Sequence, residues 1–226
     1  MGTLRIVLAD DHLLFRKGVA AVLALRPGLQ VVREAADGLE AIEAARAEAP
    51  DVILMDLAMP RCSGLEATRI IKAEMPQVKI VVLTVSDADR DLFAAIKAGA
   101  DGYLLKNIQP AQLYEMLEGI RRGEAPITGV LAAKILKEFQ EPPKGSLPGE
   151  GENALTARET QVLELLAQGL TNKGIAAALS VAEDTVRAHV RRILEKLHLQ
   201  NRIQAAVYAV RQGLAPSPHQ DPRPPE

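Results

Sequence analysis

The chain has 226 residues, of which 48% are hydrophobic and 25% are charged, a composition that indicates a folded globular protein and excludes disorder over most of its length. The formal net charge of −2 marks the whole chain neither as a nucleic-acid binder nor as a membrane-surface protein. That average combines two parts of opposite sign. Residues 1–126 carry 15 basic and 18 acidic side chains, whereas residues 171–211 carry 7 basic and 3 acidic ones. We therefore expect an acidic module joined to a basic one.

The cysteine content and the apolar runs bear on the compartment. Cys62 is the single cysteine and cannot form a disulfide within the chain, so the sequence is compatible with a reducing compartment. No apolar run reaches the roughly 20 residues that cross a bilayer. The first residues also lack the basic and apolar zones of a secretion signal. We expect a cytoplasmic protein with no membrane partner.

Five short apolar segments alternate with segments of helical periodicity. Strands are predicted at Leu4–Ala9, Leu29–Arg33, Val52–Met55, Val78–Leu83 and Gly102–Leu105. Helices are predicted at Leu13–Leu25, Gly38–Glu48, Gly64–Glu74, Asp89–Ala98 and Pro110–Arg121. Continuous apolar strands that alternate with helices are typical of a parallel sheet covered on both faces. The pattern predicts an α/β fold, a doubly wound (βα)5 domain over residues 1–122.

The remainder of the chain changes in composition. Residues 123–153 are rich in Pro and Gly, which predicts a linker, with one helix at Val130–Phe139. Residues 154–213 have a helical pattern with three breaks, which predicts an all-α domain of four short helices. The Pro-rich residues 214–226 are predicted to be a disordered tail.

Polar side chains follow four of the five predicted strands at the sheet edge where ligands bind in open parallel sheets. They are Asp10, Asp11, Asp56, Thr84 and Lys106. Three neighbouring carboxylates repel each other unless a cation lies among them, and Mg²⁺ is suited to such oxygen ligands. With the metal bound, Asp56 would be suited to attack a phosphorus atom, because Lys106 and the ion offset the charge on the phosphoryl oxygens. Thr84 would donate a hydrogen bond to them.

Four motifs of this half resemble the receiver domain of two-component response regulators, which has the flavodoxin-like doubly wound fold. The motifs are A-D-D-H at 9–12, L-M-D-L-A-M-P at 54–60, L-T at 83–84 and A-G-A-D-G-Y-L-L-K at 98–106. The resemblance implies that Asp56 accepts a phosphoryl group from a sensor histidine kinase. It also implies that four residues supply the Mg²⁺ ligands, namely Asp10, Asp11, Asp56 and, through its backbone carbonyl, Ala58. Thr84 and Tyr103 resemble the switch pair, and Lys106 resembles the lysine that contacts phosphate.

The basic segment has the pattern of a helix-turn-helix unit. Thr156 and Glu159 are spaced as a capping box before the first helix, Gly169 ends that helix, and Thr171 can cap the next one. The helix that follows has an outward face composed of Thr185, Arg187, Ala188, Arg191 and Arg192. Three arginines on one helix face are suited to phosphates and to guanine edges in a major groove.

This segment resembles the DNA-binding domain of the NarL/FixJ, or LuxR-type, transcription regulators. The likeness lies in L-T-A-R-E at 155–159, G-L-T-N-K-G-I-A at 169–176 and D-T-V-R-A-H-V-R-R-I-L-E-K-L at 184–197. It implies that three residues face the bases or nearby phosphates of double-stranded DNA: Arg187, Ala188 and Arg191. It implies mainly backbone contacts for Lys173, Thr185, His189 and Arg192. The last helix resembles one that pairs DNA-bound subunits, which implies a homodimer at least when the protein is phosphorylated or bound to DNA.

Together these features predict a DNA-binding response regulator rather than an enzyme, in which phosphorylation of Asp56 shifts domain docking or dimerisation and thereby controls transcription. Two alternatives stay open. The receiver could be a dimerisation module that works without phosphorylation. The protein could also be a phosphatase with Asp56 as its nucleophile, although such enzymes often place a second Asp where this chain has Ala58.

Overall fold

The computed structural model describes residues 2–86, 88–122, 155–197, 199 and 201–214. The chain divides into two compact units, with the boundary between residues 128 and 129, and each unit is described by itself. The helix predicted at Val130–Phe139 and residues 215–226 of the predicted tail lie outside the described residues. Within the described ranges, no helix combines the length and the apolar character that crossing a bilayer requires.

The first unit contains a five-stranded parallel sheet in the order β2-β1-β3-β4-β5. Its strands are β1 Leu4–Ala9, β2 Leu29–Ala35, β3 Val52–Met55, β4 Lys79–Thr84 and β5 Gly102–Leu105. Its helices are α1 Leu13–Ala24, α2 Gly38–Glu48, α3 Gly64–Glu74, α4 Asp89–Ala98 and α5 Pro110–Arg121. One hydrophobic cluster joins the sheet to α2 and α3, and a second joins it to α1 and α5. This arrangement confirms the predicted (βα)5 fold.

Two strands differ from their predicted limits. β4 begins at Lys79 rather than Val78, because the Val78 amide donates to the Met75 carbonyl at 3.1 Å within a turn. β2 continues past Arg33 to Ala35, because its last two residues pair with the end of β1. In both cases backbone pairing, which hydropathy alone does not reveal, sets the limit of the strand.

A buried ion cluster ties α3 to the strands beside it. The Lys72 ammonium lies 2.5 Å from Asp101 Oδ2 and donates to the Val78 carbonyl at 2.7 Å. Asp101 also accepts from Lys79 Nζ and from the Ile80 amide, each at 3.0 Å. The side chains of Lys72 and Asp101 are only 2% and 4% exposed. Each buried charge therefore depends on the other for its stability.

We expect Asp101→Ala to lower the free energy of unfolding of the first unit by about 3 to 5 kcal/mol, because Lys72 would stay buried without its counter-ion. Urea denaturation, with amide hydrogen exchange in β4 as the probe of the first unit, measures this change. Glu43→Ala, which removes an exposed carboxylate from α2, is the control and should change the stability by no more than about 0.5 kcal/mol. Equal unfolding midpoints for the two variants would contradict a stabilising role of the Lys72–Asp101 ion pair.

The second unit is helical over its described residues. Its four helices there are α6 Ala157–Ala167, α7 Asn172–Leu179, α8 Glu183–Lys196 and α9 Arg202–Arg211, and all four contribute to one hydrophobic cluster. The predicted capping box is present, since Thr156 Oγ1 accepts from the Glu159 amide and Glu159 accepts in return from the Thr156 amide. Gly169 follows α6 with a φ of 81°, and Thr171 caps α7. The predicted all-α architecture is confirmed.

Candidate functional site

The sheet order brings two buried aspartates to one edge. Asp10 follows β1 and Asp56 follows β3, and these strands are neighbours in the sheet. The Asp56 amide donates to the Ala9 carbonyl at 2.8 Å, which continues the pairing of the strands up to the site. Asp10 and Asp56 are buried, whereas Asp11 is more exposed. The two buried carboxylates and Asp11 therefore meet at the carboxyl end of the sheet, as predicted from the sequence.

Lys106, which follows β5, joins the buried carboxylates. Its Nζ lies 2.8 Å from Asp10 Oδ2 and 2.8 Å from Asp56 Oδ2. The ring of Phe15 lies 4.9 Å from the same nitrogen, a distance that permits a cation–π interaction. The Leu57 amide donates to the second oxygen of Asp56 at 2.8 Å. One cation and one backbone donor thus fix the orientation of the Asp56 carboxylate.

The charges of this cluster influence each other's protonation. Burial raises the pKa of Asp56, the hydrogen bond from Lys106 opposes that rise, and the charge of Asp10 adds to it. Burial lowers the pKa of Lys106, but the hydrogen bonds to Asp10 and Asp56 outweigh burial and leave that pKa above its ordinary value. Lys106 therefore stays protonated, and its amine is shared by two carboxylates.

The donor set of the site fits a hard divalent cation. Oxygens of Asp10, Asp11 and Asp56 and a nitrogen of His12 all lie within 4.8 Å of one another. Carboxylate oxygens are the ligands that Mg²⁺ prefers. His12 is exposed, and its Nδ1 lies 2.9 Å from Asp11 Oδ1. Ala58 is exposed and brings no side-chain ligand, so a backbone carbonyl is all that it can offer.

The two predicted switch residues contact the same loop residue. Thr84 is buried at the end of β4, and its hydroxyl oxygen accepts from the Ser86 amide at 3.2 Å. Tyr103 is buried on β5, and its hydroxyl donates to the Ser86 carbonyl at 2.8 Å. The Thr84 carbonyl accepts from the Lys106 amide at 2.8 Å. The loop after β4 is therefore linked both to the acidic cluster and to the buried tyrosine.

Two residues that support the site were not predicted from the sequence. A Cβ at Gly64 would overlap the backbone oxygen of Asp56, so only glycine lets α3 begin this close to the site. Arg16 donates to the Asp10 carbonyl and, through Nε, to Glu34 at 3.0 Å. Glycine directly after the Ser63 cap is a sequence signal for the first residue, whereas the role of Arg16 depends on a contact with β2.

Two protein families match separate parts of the chain. Residues 6–118 match the response regulator receiver domain, and residues 153–209 match the bacterial regulatory proteins of the luxR family. The chain belongs to the LuxR-type response regulators. This finding confirms the resemblance and the main function predicted from the sequence, a transcriptional response regulator.

Two relatives match this response regulator over more than nine-tenths of its chain, and one solved structure matches a smaller part of it. The uncharacterized transcriptional regulatory protein YxjL of Bacillus subtilis is 44% identical over 211 residues, which cover 93% of this chain and 97% of that protein. The nitrate/nitrite response regulator protein NarP of Escherichia coli is 42% identical over 208 residues, which cover 92% of this chain and 95% of that protein. A crystal structure of a LuxR-family response regulator from Aurantimonas sp. SI85-9A1 has a TM-score of 0.58 at 37% identity, covering 62% of this chain and all of that one.

The predicted DNA-facing residues of the LuxR-type domain lie on α7 and α8. Those that are exposed are Lys173, Thr185, Arg187, Ala188, Arg191 and Arg192. His189 is half-buried, and its Nδ1 is buried without a hydrogen-bond partner among the described residues. One face of α8 thus presents three arginines to solvent.

Two of these arginines are paired with carboxylates of their own helix. Arg187 lies 2.8 Å from Glu183 and 2.9 Å from Asp184, and Arg191 lies 2.9 Å from Glu195. No corresponding ion pair of Arg192 occurs in the described part of the chain. The positive charge of this face is therefore partly compensated within α8, an effect that the sequence analysis did not predict.

A buried carboxylate anchors the end of α8 to the start of α6. Lys196 Nζ donates to Glu159 Oε2 at 2.7 Å, and the Thr156 amide donates to the same oxygen at 2.8 Å. Burial raises the pKa of Glu159, but the hydrogen bonds from Lys196 and Thr156 outweigh burial and hold that pKa below its ordinary value of 4.5. The charged form of Glu159 therefore stabilises the domain.

We expect Glu159→Gln to lower the free energy of unfolding of the LuxR-type domain at pH 7 by about 1.5 to 3 kcal/mol, as for other hydrogen bonds to charged groups. Because the pKa is depressed in the folded state, this contribution is present above pH 4.5 and disappears as the pH falls through the folded value. Urea denaturation at pH 7 and near pH 3 should show the difference from wild type shrinking in acid. Glu164→Gln on the same helix is the control, and an equal loss in that variant would argue against the anchor.

Proposed function

We propose that this response regulator is switched by phosphoryl transfer from a sensor histidine kinase to Asp56, and that its LuxR-type domain then binds double-stranded DNA as a homodimer to control transcription. The observation that carries the proposal is the position of Lys106 Nζ, 2.8 Å from both Asp10 and Asp56 in a buried acidic cluster. A carboxylate nucleophile and a cation directed at the same point are what transfer of a phosphoryl anion requires.

In the proposed step, an Asp56 carboxylate oxygen forms a bond to the phosphorus while the P–N bond to the donor histidine breaks. The electron pair of that bond stays on the imidazole nitrogen, and the product is an acyl phosphate. Lys106 would pair with the phosphoryl oxygens, and the Thr84 hydroxyl would donate to one of them. No general base is needed, because the ionised carboxylate of Asp56 is itself the nucleophile.

The acidic cluster would hold Mg²⁺ through the carboxylates of Asp10, Asp11 and Asp56 and the backbone carbonyl of Ala58. When bound, the ion supplies positive charge that offsets the charge of the phosphoryl oxygens. The chain's own contribution is to hold the ligands together, since Lys106 offsets their repulsion and Arg16 donates to the Asp10 backbone.

Phosphorylation would add roughly −1.5 to −2 charges beside Thr84. Because Thr84 and Tyr103 both bond to Ser86, a rearrangement of Thr84 would reach the loop that leads into α4. Two states that differ in domain docking or dimerisation are then sufficient for control. A homodimer would bind two half-sites that lie about one DNA turn apart.

On the DNA side, the exposed face of α8 would enter the major groove. Arg187, Ala188 and Arg191 would lie at base edges or adjacent phosphates. The residues assigned to the backbone are Lys173, Thr185, His189 and Arg192. Their placement on exposed or half-buried positions of two consecutive helices supports this assignment.

We expect the wild-type protein with Mg²⁺ and acetyl phosphate to take up one phosphoryl group and to bind DNA more tightly as a result. Asp56→Asn should take up none, because an amide oxygen is a poor nucleophile. Chelation of the metal should prevent uptake without unfolding the protein. Radiolabel incorporation measures the uptake of the phosphoryl group. Fluorescence anisotropy with a duplex selected from a random pool measures the DNA affinity.

The control is Glu43→Gln, which neutralises an exposed carboxylate on α2 and should behave as wild type. An identical DNA response of wild type and Asp56→Asn would favour a dimerisation module that works without phosphorylation. Sustained multiple-turnover hydrolysis of a phosphoester would favour a phosphatase.

We expect Arg187→Ala and Arg191→Ala each to weaken specific DNA binding by about 1 to 3 kcal/mol, the usual cost of a lost base contact. Anisotropy titrations with the selected duplex provide the measurement. Arg46→Ala, which removes an exposed arginine paired with Glu74 on the receiver, should leave the affinity unchanged. Wild-type affinity in both α8 variants would rule out the proposed docking.

A further inference from the structure

Ser86 is the centre of the hydrogen bonds in the loop between β4 and α4. Its amide donates to Thr84 Oγ1 at 3.2 Å, and its carbonyl accepts from the Tyr103 hydroxyl at 2.8 Å. Its hydroxyl donates to Asp91 Oδ2 at 2.5 Å and accepts from the Ala88 amide at 3.3 Å. One residue therefore contacts both switch residues and the beginning of α4.

The side chain and the backbone of Ser86 make different connections. Any residue except proline could form the backbone bonds to Thr84 and Tyr103, but the bond to Asp91 requires a side chain that donates a hydrogen bond, here the Ser86 hydroxyl. Asp91 lies in the first turn of α4, where its amide donates to the Ala88 carbonyl at 3.0 Å. Its side chain is 29% exposed, so the bond to the carboxylate is partly shielded from water.

We propose that Ser86 is a positioning residue whose hydroxyl, bonded to Asp91, transmits the state of Thr84 and Tyr103 to α4. The inference rests on the proposed function, because the signal it transmits is phosphorylation of Asp56. The Ser86 hydroxyl is engaged by Asp91 and Ala88 rather than by the acidic cluster. Loss of this hydroxyl therefore separates transmission of the signal from phosphoryl transfer.

The test uses the full chain with Mg²⁺ and acetyl phosphate as the phosphodonor. Ser86→Ala should take up as much phosphoryl group as wild type, while the gain in DNA affinity on phosphorylation falls by about fivefold. Asp91→Ala should show the same loss, because alanine cannot accept the hydrogen bond from Ser86. The double variant should lose no more than either single one, because both changes remove one shared bond. Ser86→Thr keeps the hydroxyl and should restore the response.

Asp89→Ala is the matched control, since it removes a carboxylate from the same turn of α4 and should retain the wild-type response. The inference is overturned if Ser86→Ala keeps the full gain in affinity. It is also overturned if Asp89→Ala loses as much as Asp91→Ala, because charge at the start of the helix would then explain the effect. Failure of the wild-type protein to take up a phosphoryl group overturns the proposed function, an outcome distinct from an undiminished response in Ser86→Ala.

Discussion

The shared ion pairs of Lys106 are the interaction on which the acidic site depends. Two buried carboxylates that directly follow adjacent strands would repel each other, and burial strengthens that repulsion because little water screens it. Lys106 reduces the repulsion by lying 2.8 Å from an oxygen of each. The same amine provides the positive charge that a phosphoryl group needs, so a single side chain supports both the folded site and its proposed chemistry.

The geometry of this cluster follows from the sheet order. Neighbouring β1 and β3 bring Asp10 and Asp56 together, and β4 lies between them and β5, so the long side chain of Lys106 is needed to reach back. Glycine at position 64 is equally constrained, because the first turn of α3 packs against the backbone of Asp56. A side chain at position 64 would therefore displace Asp56 without altering any charged group.

The sequence predicts the parts of this protein that depend on topology and periodicity. Asp10, Asp56 and Lys106 follow apolar strands and Thr84 ends one, and neighbouring parallel strands bring these positions to the same edge of the sheet. The Ser86–Asp91 bond is different, because the rotamers of two side chains in a loop and a helix decide it. The ion pair of Lys72 with Asp101, far apart in sequence, likewise depends on packing.

The ion pairs on α8 were within reach of sequence reasoning, because Glu183 and Arg187 are four residues apart, as are Arg191 and Glu195. The start of β4 could not be predicted from the sequence, since the Val78 amide donates to a turn and this excludes Val78 from the strand. Periodicity identifies elements, faces and ion pairs one helical turn apart, whereas the limits of a strand and charge partners distant in sequence require the folded backbone.

The carboxylates beside Arg187 and Arg191 have a consequence for the ionic-strength dependence of a complex with DNA. An arginine that leaves a carboxylate for a phosphate exchanges one anion for another, and the freed carboxylate then takes up cations from solution. The net number of small ions released on association is therefore smaller than the count of basic groups on α8 suggests. Added salt should weaken such a complex less steeply than it would for a helix whose arginines had no internal counter-charge.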